Sequence, residues 1–129
     1  MIAVDTNILV RLLTNDDPIQ ARRAVKILNS NDIYIPKTVL LETEWVLRHA
    51  YKIERSDIIN GFQKLLGLPN VSVEDPDSMY QAIRWYEDNF DFADALHLAS
   101  SRRCQYFTSF DSSLIKKAQQ LRLIEMIKP

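Results

Sequence analysis

The sequence predicts an α/β fold with a mainly parallel sheet, on three observations. Short apolar runs recur along the chain: Ile2-Ala3-Val4, Ile33-Tyr34-Ile35, Val71-Ser72-Val73 and Tyr106-Phe107-Thr108. Between them apolar residues return at helical spacing. No linker, repeat or low-complexity stretch interrupts this alternation, which favours parallel strands joined by helical crossovers. The 129 residues suit one domain, residues 1–129.

Ile2-Ala3-Val4 is expected as a buried strand ending at Asp5, with a short helix over 7–13. Asp17-Pro18 is a strong helix start. Asp17 can cap, Pro18 suits the first turn, and Gln20 stands three residues past Asp17. Ala21, Ala24, Val25 and Leu28 then form one apolar face. Pro36 stops the second strand, 33–35. Thr38 is placed to cap a helix reaching about Tyr51. Ser56 is placed to cap another, burying Ile58, Ile59, Phe62, Leu65 and Leu66. Leu68-Pro69-Asn70 is a turn before the third strand, 71–73. Asp75-Pro76 repeats the cap-plus-proline start for a helix to about Asn89. Residues 93–102 are helical by pattern. A fourth strand, 106–108, ends near Asp111, followed by a helix over 112–121 and an edge strand over 123–127.

Composition narrows the function. The chain holds two glycines, Gly61 and Gly67, so glycine-rich phosphate loops and dinucleotide-binding fingerprints are absent. Net charge is −1, so any basic footprint for nucleic acid must be local. Cys104 is the single cysteine, which removes intrachain disulfides and cysteine-rich zinc sites and suits a reducing, cytoplasmic setting. The charge at Asp5 cuts the first apolar run short, so no signal peptide is expected. No apolar run is long enough to span a bilayer, and no membrane partner is expected.

Four acids stand where solubility does not explain them. Asp5 directly follows a strand. Glu42 lies in the apolar helix Val39 to Leu47, Asp94 in the apolar stretch Phe92 to Ala99, and Asp111 just past Tyr106 to Phe110. Each falls at a strand's carboxyl end or early in the next helix, where open parallel sheets form their ligand crevice. Two carboxylates about 5 Å apart repel by roughly 3 kcal/mol at an effective dielectric of about 20. Such a cluster protonates in part or holds cations. Oxygen ligands without thiolate or a His pair point to Mg²⁺ or Mn²⁺, the usual equipment for phosphodiester hydrolysis. Each acid also has a plain structural reading. Asp5 and Asp94 can cap helices, and Glu42 can pair with Arg11 or Arg48. The case rests on all four taken together.

Val4-Asp5-Thr6-Asn7, Leu41-Glu42, Ala93-Asp94-Ala95-Leu96-His97-Leu98-Ala99 and Thr108-Ser109-Phe110-Asp111 resemble, in order, the acidic motifs of PIN-domain proteins of the VapC-toxin type. The resemblance spans essentially the whole chain. It implies a three-layer α/β/α fold, an endoribonuclease site dependent on Mg²⁺ or Mn²⁺, a small antitoxin partner encoded nearby, and a homodimer. On it, Asp5, Glu42, Asp94 and Asp111 are the catalytic and metal-binding residues.

Supporting candidates are Asn7 and Thr108, to orient ligands or water, and Asp91, as a supplementary ligand or as a helix cap. His97 fits a satisfied buried histidine better than a ligand. Thr6 is expected to bind backbone groups at the turn, and Glu44 to be solvated. Arg22-Arg23, Arg102-Arg103 and Lys116-Lys117 are basic pairs of the kind usually found on solvated helix faces, so Arg11 is the best single candidate for RNA binding. Trp45, Trp85 and Tyr86 suit either base stacking or core and interface packing.

A competing reading is a non-catalytic partner-binding module whose acids are structural. A PIN nuclease acting in RNA processing or on DNA is another. Aspartyl phosphotransfer is disfavoured, because it usually wants an Asp where Asn7 stands. Cleavage through the RNA's own 2′-hydroxyl generally wants paired general acid and base groups, and His49 and His97 show no such pairing.

Overall fold

A computed structural model describes residues 1–122 and 124–129, which form two compact units, 1–76 and 77–129.

The first unit runs β1 (Ile2–Ala3), α1 (Thr6–Leu13), α2 (Pro18–Ser30), β2 (Ile33–Ile35), α3 (Lys37–His49), α4 (Arg55–Leu66) and β3 (Val71–Val73). Its three strands pair in the order β1-β2-β3, all parallel, with Ile2 opposite Ile33 and Ile35 opposite Val73. All three carboxyl ends therefore point the same way. Asp5 follows the first of them, and α3, which carries Glu42, follows the second. Leu9, Ile35, Leu40, Leu47, Ile58 and Phe62 are almost wholly buried and form the core. The buried residues of α4 are Ile58, Ile59, Phe62, Leu65 and Leu66, the face that periodicity predicts.

Several local expectations are corrected here. Strand β1 is exposed rather than buried, because it edges the three-stranded sheet; Val4 is its buried neighbour. Asp17 caps α2 as expected, accepting from Gln20 N at 3.0 Å with Pro18 in the first turn. The buried face of α2, however, turns toward Ile27, and Val25 is left 43% exposed. Neither Thr38 nor Ser56 caps a helix. Helix α3 starts two residues earlier than expected, directly after Pro36, whose carbonyl receives Val39 N and Leu40 N, while the Glu74 carboxylate takes Lys37 N at 2.9 Å. Helix α4 begins at Arg55, and the Glu54 carbonyl receives its first amides.

The second unit holds α5, which starts on the last residue of the first unit (Pro76–Glu87), then α6 (Phe92–Ala99), β4 (Tyr106–Thr108), α7 (Ser112–Leu121) and β5 (Glu125–Ile127). Strands β4 and β5 are parallel, with Tyr106 opposite Glu125 and Thr108 opposite Ile127. The expected edge strand over 123–127 is present from Glu125; Leu123 lies outside the described residues. Helix α6 ends at Ala99, shorter than the 93–102 pattern, with Ser100 as its C-cap. Met79, Ala82, Tyr86, Phe92, Ala95 and Leu98 make the core, and Tyr86 meets Phe92 edge-to-face at 5.1 Å. Ser78 is buried and satisfied, donating to the Ala99 carbonyl at 3.0 Å and accepting from Arg102.

Candidate active site

In the first unit the candidate residues gather around the start of α1. Asp5 is the N-cap of α1, and its Oδ1 accepts from Ile8 N at 3.3 Å. A cap of this kind uses one carboxylate oxygen and leaves the second to other partners. Thr6, the next residue, is buried, and its hydroxyl donates to Glu42 Oε1 at 2.5 Å. The side chain of Thr6 thus serves Glu42 rather than backbone groups at the turn. Glu42 is exposed and pairs with neither Arg11 nor Arg48. Glu44 takes that ion pair instead. It is 2% exposed, and Arg48 Nε reaches its Oε2 at 2.6 Å, so Glu44 is not the solvated residue expected from its spacing.

Arg11 stands in a network. Its Nη1 donates to Asp16 at 2.8 Å and to the Tyr51 hydroxyl at 3.2 Å, and its Nε donates to Gln20 at 2.7 Å. The Tyr51 hydroxyl, then Thr14 and Arg11, hold the Asp16 carboxyl below its ordinary range. Asp5, Asn7 and Arg11 line one cleft of about 310 Å³ between α1 and α2, together with Ile8, Arg23 and Ile27.

In the second unit two carboxylates act on a third, Asp94. Asp91 caps α6, and its Oδ2 accepts from Asp94 N at 3.1 Å. Asp111 caps α7, and its Oδ1 accepts from Ser113 N at 3.0 Å and Leu114 N at 3.1 Å. Asp94 sits in the first turn of α6, half-buried. Burial raises its proton affinity most, and the like charges of Asp91 and Asp111 raise it further, while His97 and Lys117 draw it back down. Lys117, half-buried on α7 with its Nζ on the Asn89 carbonyl at 2.9 Å, is a local cation rather than part of the solvated pair that its sequence neighbours suggest. The signal for it was faint: one lysine a turn and a half past Asp111. His97 is exposed, not the buried histidine expected. The Thr108 hydroxyl is bound to the Ile127 carbonyl at 2.8 Å, where it ties β4 to β5.

The aromatic candidates divide. Trp85 and Tyr86 are core residues, whereas Trp45 is 57% exposed and lies against His49 with ring centroids 4.7 Å apart. Among the described residues, no helix is long and apolar enough to cross a membrane.

The PIN-domain family model matches residues 2–120. The chain belongs to the PIN-domain family. With that membership comes the three-layer α/β/α PIN fold expected from the sequence, and the family is one of nucleases, hydrolases of nucleic acid. Among solved structures, this PIN domain is similar to the toxin VapC20 of Mycobacterium tuberculosis, described as cleaving the sarcin–ricin loop. The two are 22% identical over the whole of both chains, with a TM-score of 0.45, so the family model carries the assignment. Comparison with curated proteins finds no match.

PIN nucleases generally use divalent metal ions. Among the described residues, no group of three or more His, Cys, Asp or Glu side chains comes together in a way that could hold one. The donor chemistry nevertheless fits such an ion. The candidates are all carboxylate oxygens, and Asp94 faces like charge from Asp91 and Asp111 in a partly dry setting that a hard divalent cation would relieve.

Proposed function

We propose that this PIN-domain protein is a metal-dependent endoribonuclease and the toxin of a toxin–antitoxin pair. One observation carries the catalytic part. Asp94, on a helix whose other residues are apolar except His97, is half-buried, and the charges of Asp91 and Asp111 add to burial in raising its proton affinity. His97 and Lys117 offset part of that effect, and a net upward shift from burial and like charge is a feature of functional sites. The toxin part rests on the sequence resemblance and on family membership.

On this reading Asp5, Glu42, Asp94 and Asp111 are the carboxylates that take Mg²⁺ or Mn²⁺. A bound divalent cation acidifies a coordinated water and offsets charge on the phosphate oxygens. The chain's own residues do the rest. Thr6 fixes the rotamer of Glu42 through its hydroxyl. The cap bonds of Asp5 and Asp111 aim each carboxylate and leave one oxygen of each for the ion. Asp91 holds the first turn of α6, and with it the backbone of Asp94. Asn7 and Arg11 face the same cleft as Asp5, as supporting and RNA-binding groups. Thr108 supports the site through β4, the strand that leads to Asp111. The setting is the cytoplasm, and the partners are an RNA substrate, a small cognate antitoxin and a second copy of the chain.

The test is cleavage of total RNA with Mg²⁺, with Mn²⁺ and in EDTA, alongside calorimetric titration with Mn²⁺. Cleavage that needs the metal, together with Mn²⁺ binding lost in the Asp5→Asn, Asp94→Asn double variant, supports the reading. Undiminished Mn²⁺ binding by that variant would sink it.

A further inference from the structure

Arg22 and Arg23 are neighbours in sequence with different surroundings. Successive residues of an α-helix point about 100° apart, and on α2 this turns Arg23 into the α1–α2 cleft, whereas Arg22 does not line it. The two guanidinium groups of that cleft are also unequal. Arg11 is bound to Asp16, Tyr51 and Gln20. Arg23 is exposed and has no ion pair or hydrogen bond among the described residues. Asp5 lines the same cleft, and Ile8, Ala24 and Ile27 give it an apolar wall.

A nucleic-acid strand nearing Asp5 brings phosphate charge toward a carboxylate. The whole chain, at net charge −1, offers no general attraction to offset that. A local cation must supply it. Arg11 shares its charge with Asp16, which weakens its own hold on a phosphate, and Arg23 has no such partner among the described residues. A guanidinium also matches phosphate geometry with two parallel N–H donors. A cleft of about 310 Å³ is in the range of small-ligand sites, and its apolar wall suits the face of a base or ribose.

We propose that Arg23 is a substrate-binding residue that holds a backbone phosphate of the RNA strand in the α1–α2 cleft beside Asp5. The inference rests on the ribonuclease reading above for its substrate, but its test does not depend on cleavage. Fluorescence anisotropy of a labelled single-stranded RNA, in EDTA and over a series of salt concentrations, reads the number of phosphate contacts directly. Each contact to a single strand contributes about 0.7 to the slope of log K against log salt. Arg23→Gln should reduce that slope by about 0.7 and weaken binding uniformly across sequences. Arg23→Lys, which keeps the charge, and Arg22→Gln, outside the cleft, should retain the wild-type slope.

An unchanged slope in Arg23→Gln overturns the proposal and leaves the cleft to a protein partner. An equal loss in Arg22→Gln overturns it too, because the effect would then be diffuse charge. Failure of the wild type to bind RNA overturns it as well. If the slope changes as expected but Mn²⁺ supports no cleavage, the nuclease reading falls and the role of Arg23 stands.

Discussion

Asp91 accepts the backbone N–H of Asp94 at 3.1 Å, and by capping α6 it fixes in the helix's first turn the very carboxyl whose proton affinity its own charge raises. Structural and electrostatic roles thus coexist in one residue pair. The same holds for Asp5 and Asp111, each a helix cap as well as a candidate ligand. That overlap shapes the experiments, because removing an acid and removing a cap are different perturbations.

Asp94 gives a pH signature in metal-free protein. Its folded-state pKa lies above the ordinary carboxyl value, chiefly through burial and then through Asp91 and Asp111. A raised pKa means that the folded state favours the protonated form. The stability contributed is fully present below the unfolded pKa, about 3.9, and is lost as pH rises through the folded value. Asp94→Asn should therefore melt at the same or a higher temperature than wild type in EDTA at pH 7. Any advantage should vanish below about pH 4. Thermal melts over pH check this, and a large drop for the variant at pH 7 would show that Asp94 satisfies donors in the fold.

Asp111 separates capping from charge. Asn caps a helix about as well as Asp, whereas Ala loses about 1 kcal/mol. Asp111→Asn should keep the stability of α7 and Asp111→Ala should lose about 1 kcal/mol in denaturant melts, while RNA cleavage falls sharply in both. Activity tracking stability across the pair would reduce Asp111 to a cap.

Thr6 is predicted to be a positioning residue through its hydroxyl bond to Glu42. Thr6→Val keeps the shape and removes the donor. Its stability cost should be about 1 kcal/mol, the size of one hydrogen bond. Its Mn²⁺ affinity should fall, and Thr6→Ser, which keeps the hydroxyl, should restore it. A merely structural role would leave Mn²⁺ affinity alike in all three proteins.

Much of the fold was legible because periodicity and caps are local signals. The α4 stripe from Ile58 to Leu66 and the Asp17-Pro18 start of α2 follow from spacing alone. Asp5 and Asp111 follow strands and Glu42 lies on the helix after one, as the sequence predicts. Asp94 instead stands on α6, which follows α5 rather than a strand, and the partners of the acids were not legible. Glu42 and Glu44 show why. Leu40, Thr43, Glu44 and Leu47 share the buried stripe of α3, and Arg48 stands four residues after Glu44. That pattern marks Glu44 as the buried ion-paired acid, although apolar residues flank Glu42 in sequence as well. The Thr6–Glu42 bond joins residues 36 apart, and the influence of Lys117 on Asp94 crosses from α7 to α6. Contacts set by tertiary folding leave no spacing rule to read.

The two glutamates of α3 should accordingly behave in opposite ways. Removing one partner of a buried ion pair costs about 3–5 kcal/mol when both ends are dry. Arg48 is 35% exposed and can rehydrate, so Glu44→Ala should lose about 2 kcal/mol, below that range. Cleavage per folded molecule should survive. Glu42→Ala, at an exposed position, should lose only about 1 kcal/mol, the size of its bond from Thr6, stay folded and lose activity. Denaturant titration beside an RNA cleavage assay decides, and the reverse pattern would reassign the catalytic acid to Glu44.

The last prediction concerns the ends left by cleavage. Attack by the RNA's own 2′-hydroxyl leaves a 2′,3′-cyclic phosphate and generally calls on a positioned general base and acid, most often histidines. The chain has two histidines. His49 is exposed on α3 with its ring tilted against Trp45, and His97 is exposed on α6 in the other compact unit. Among the described residues neither imidazole has a hydrogen bond or ion pair that would orient it as a catalytic base, and the acids that the sequence singles out are carboxylates suited to hard cations. Attack by water instead leaves a 5′-phosphate and a 3′-hydroxyl. End-group mapping of cleaved RNA should find those ends, with cleavage abolished by EDTA and retained in a His49→Gln, His97→Gln double variant. Cyclic phosphate ends formed equally well in EDTA would overturn the mechanism and leave Asp5, Glu42, Asp94 and Asp111 without their assigned role.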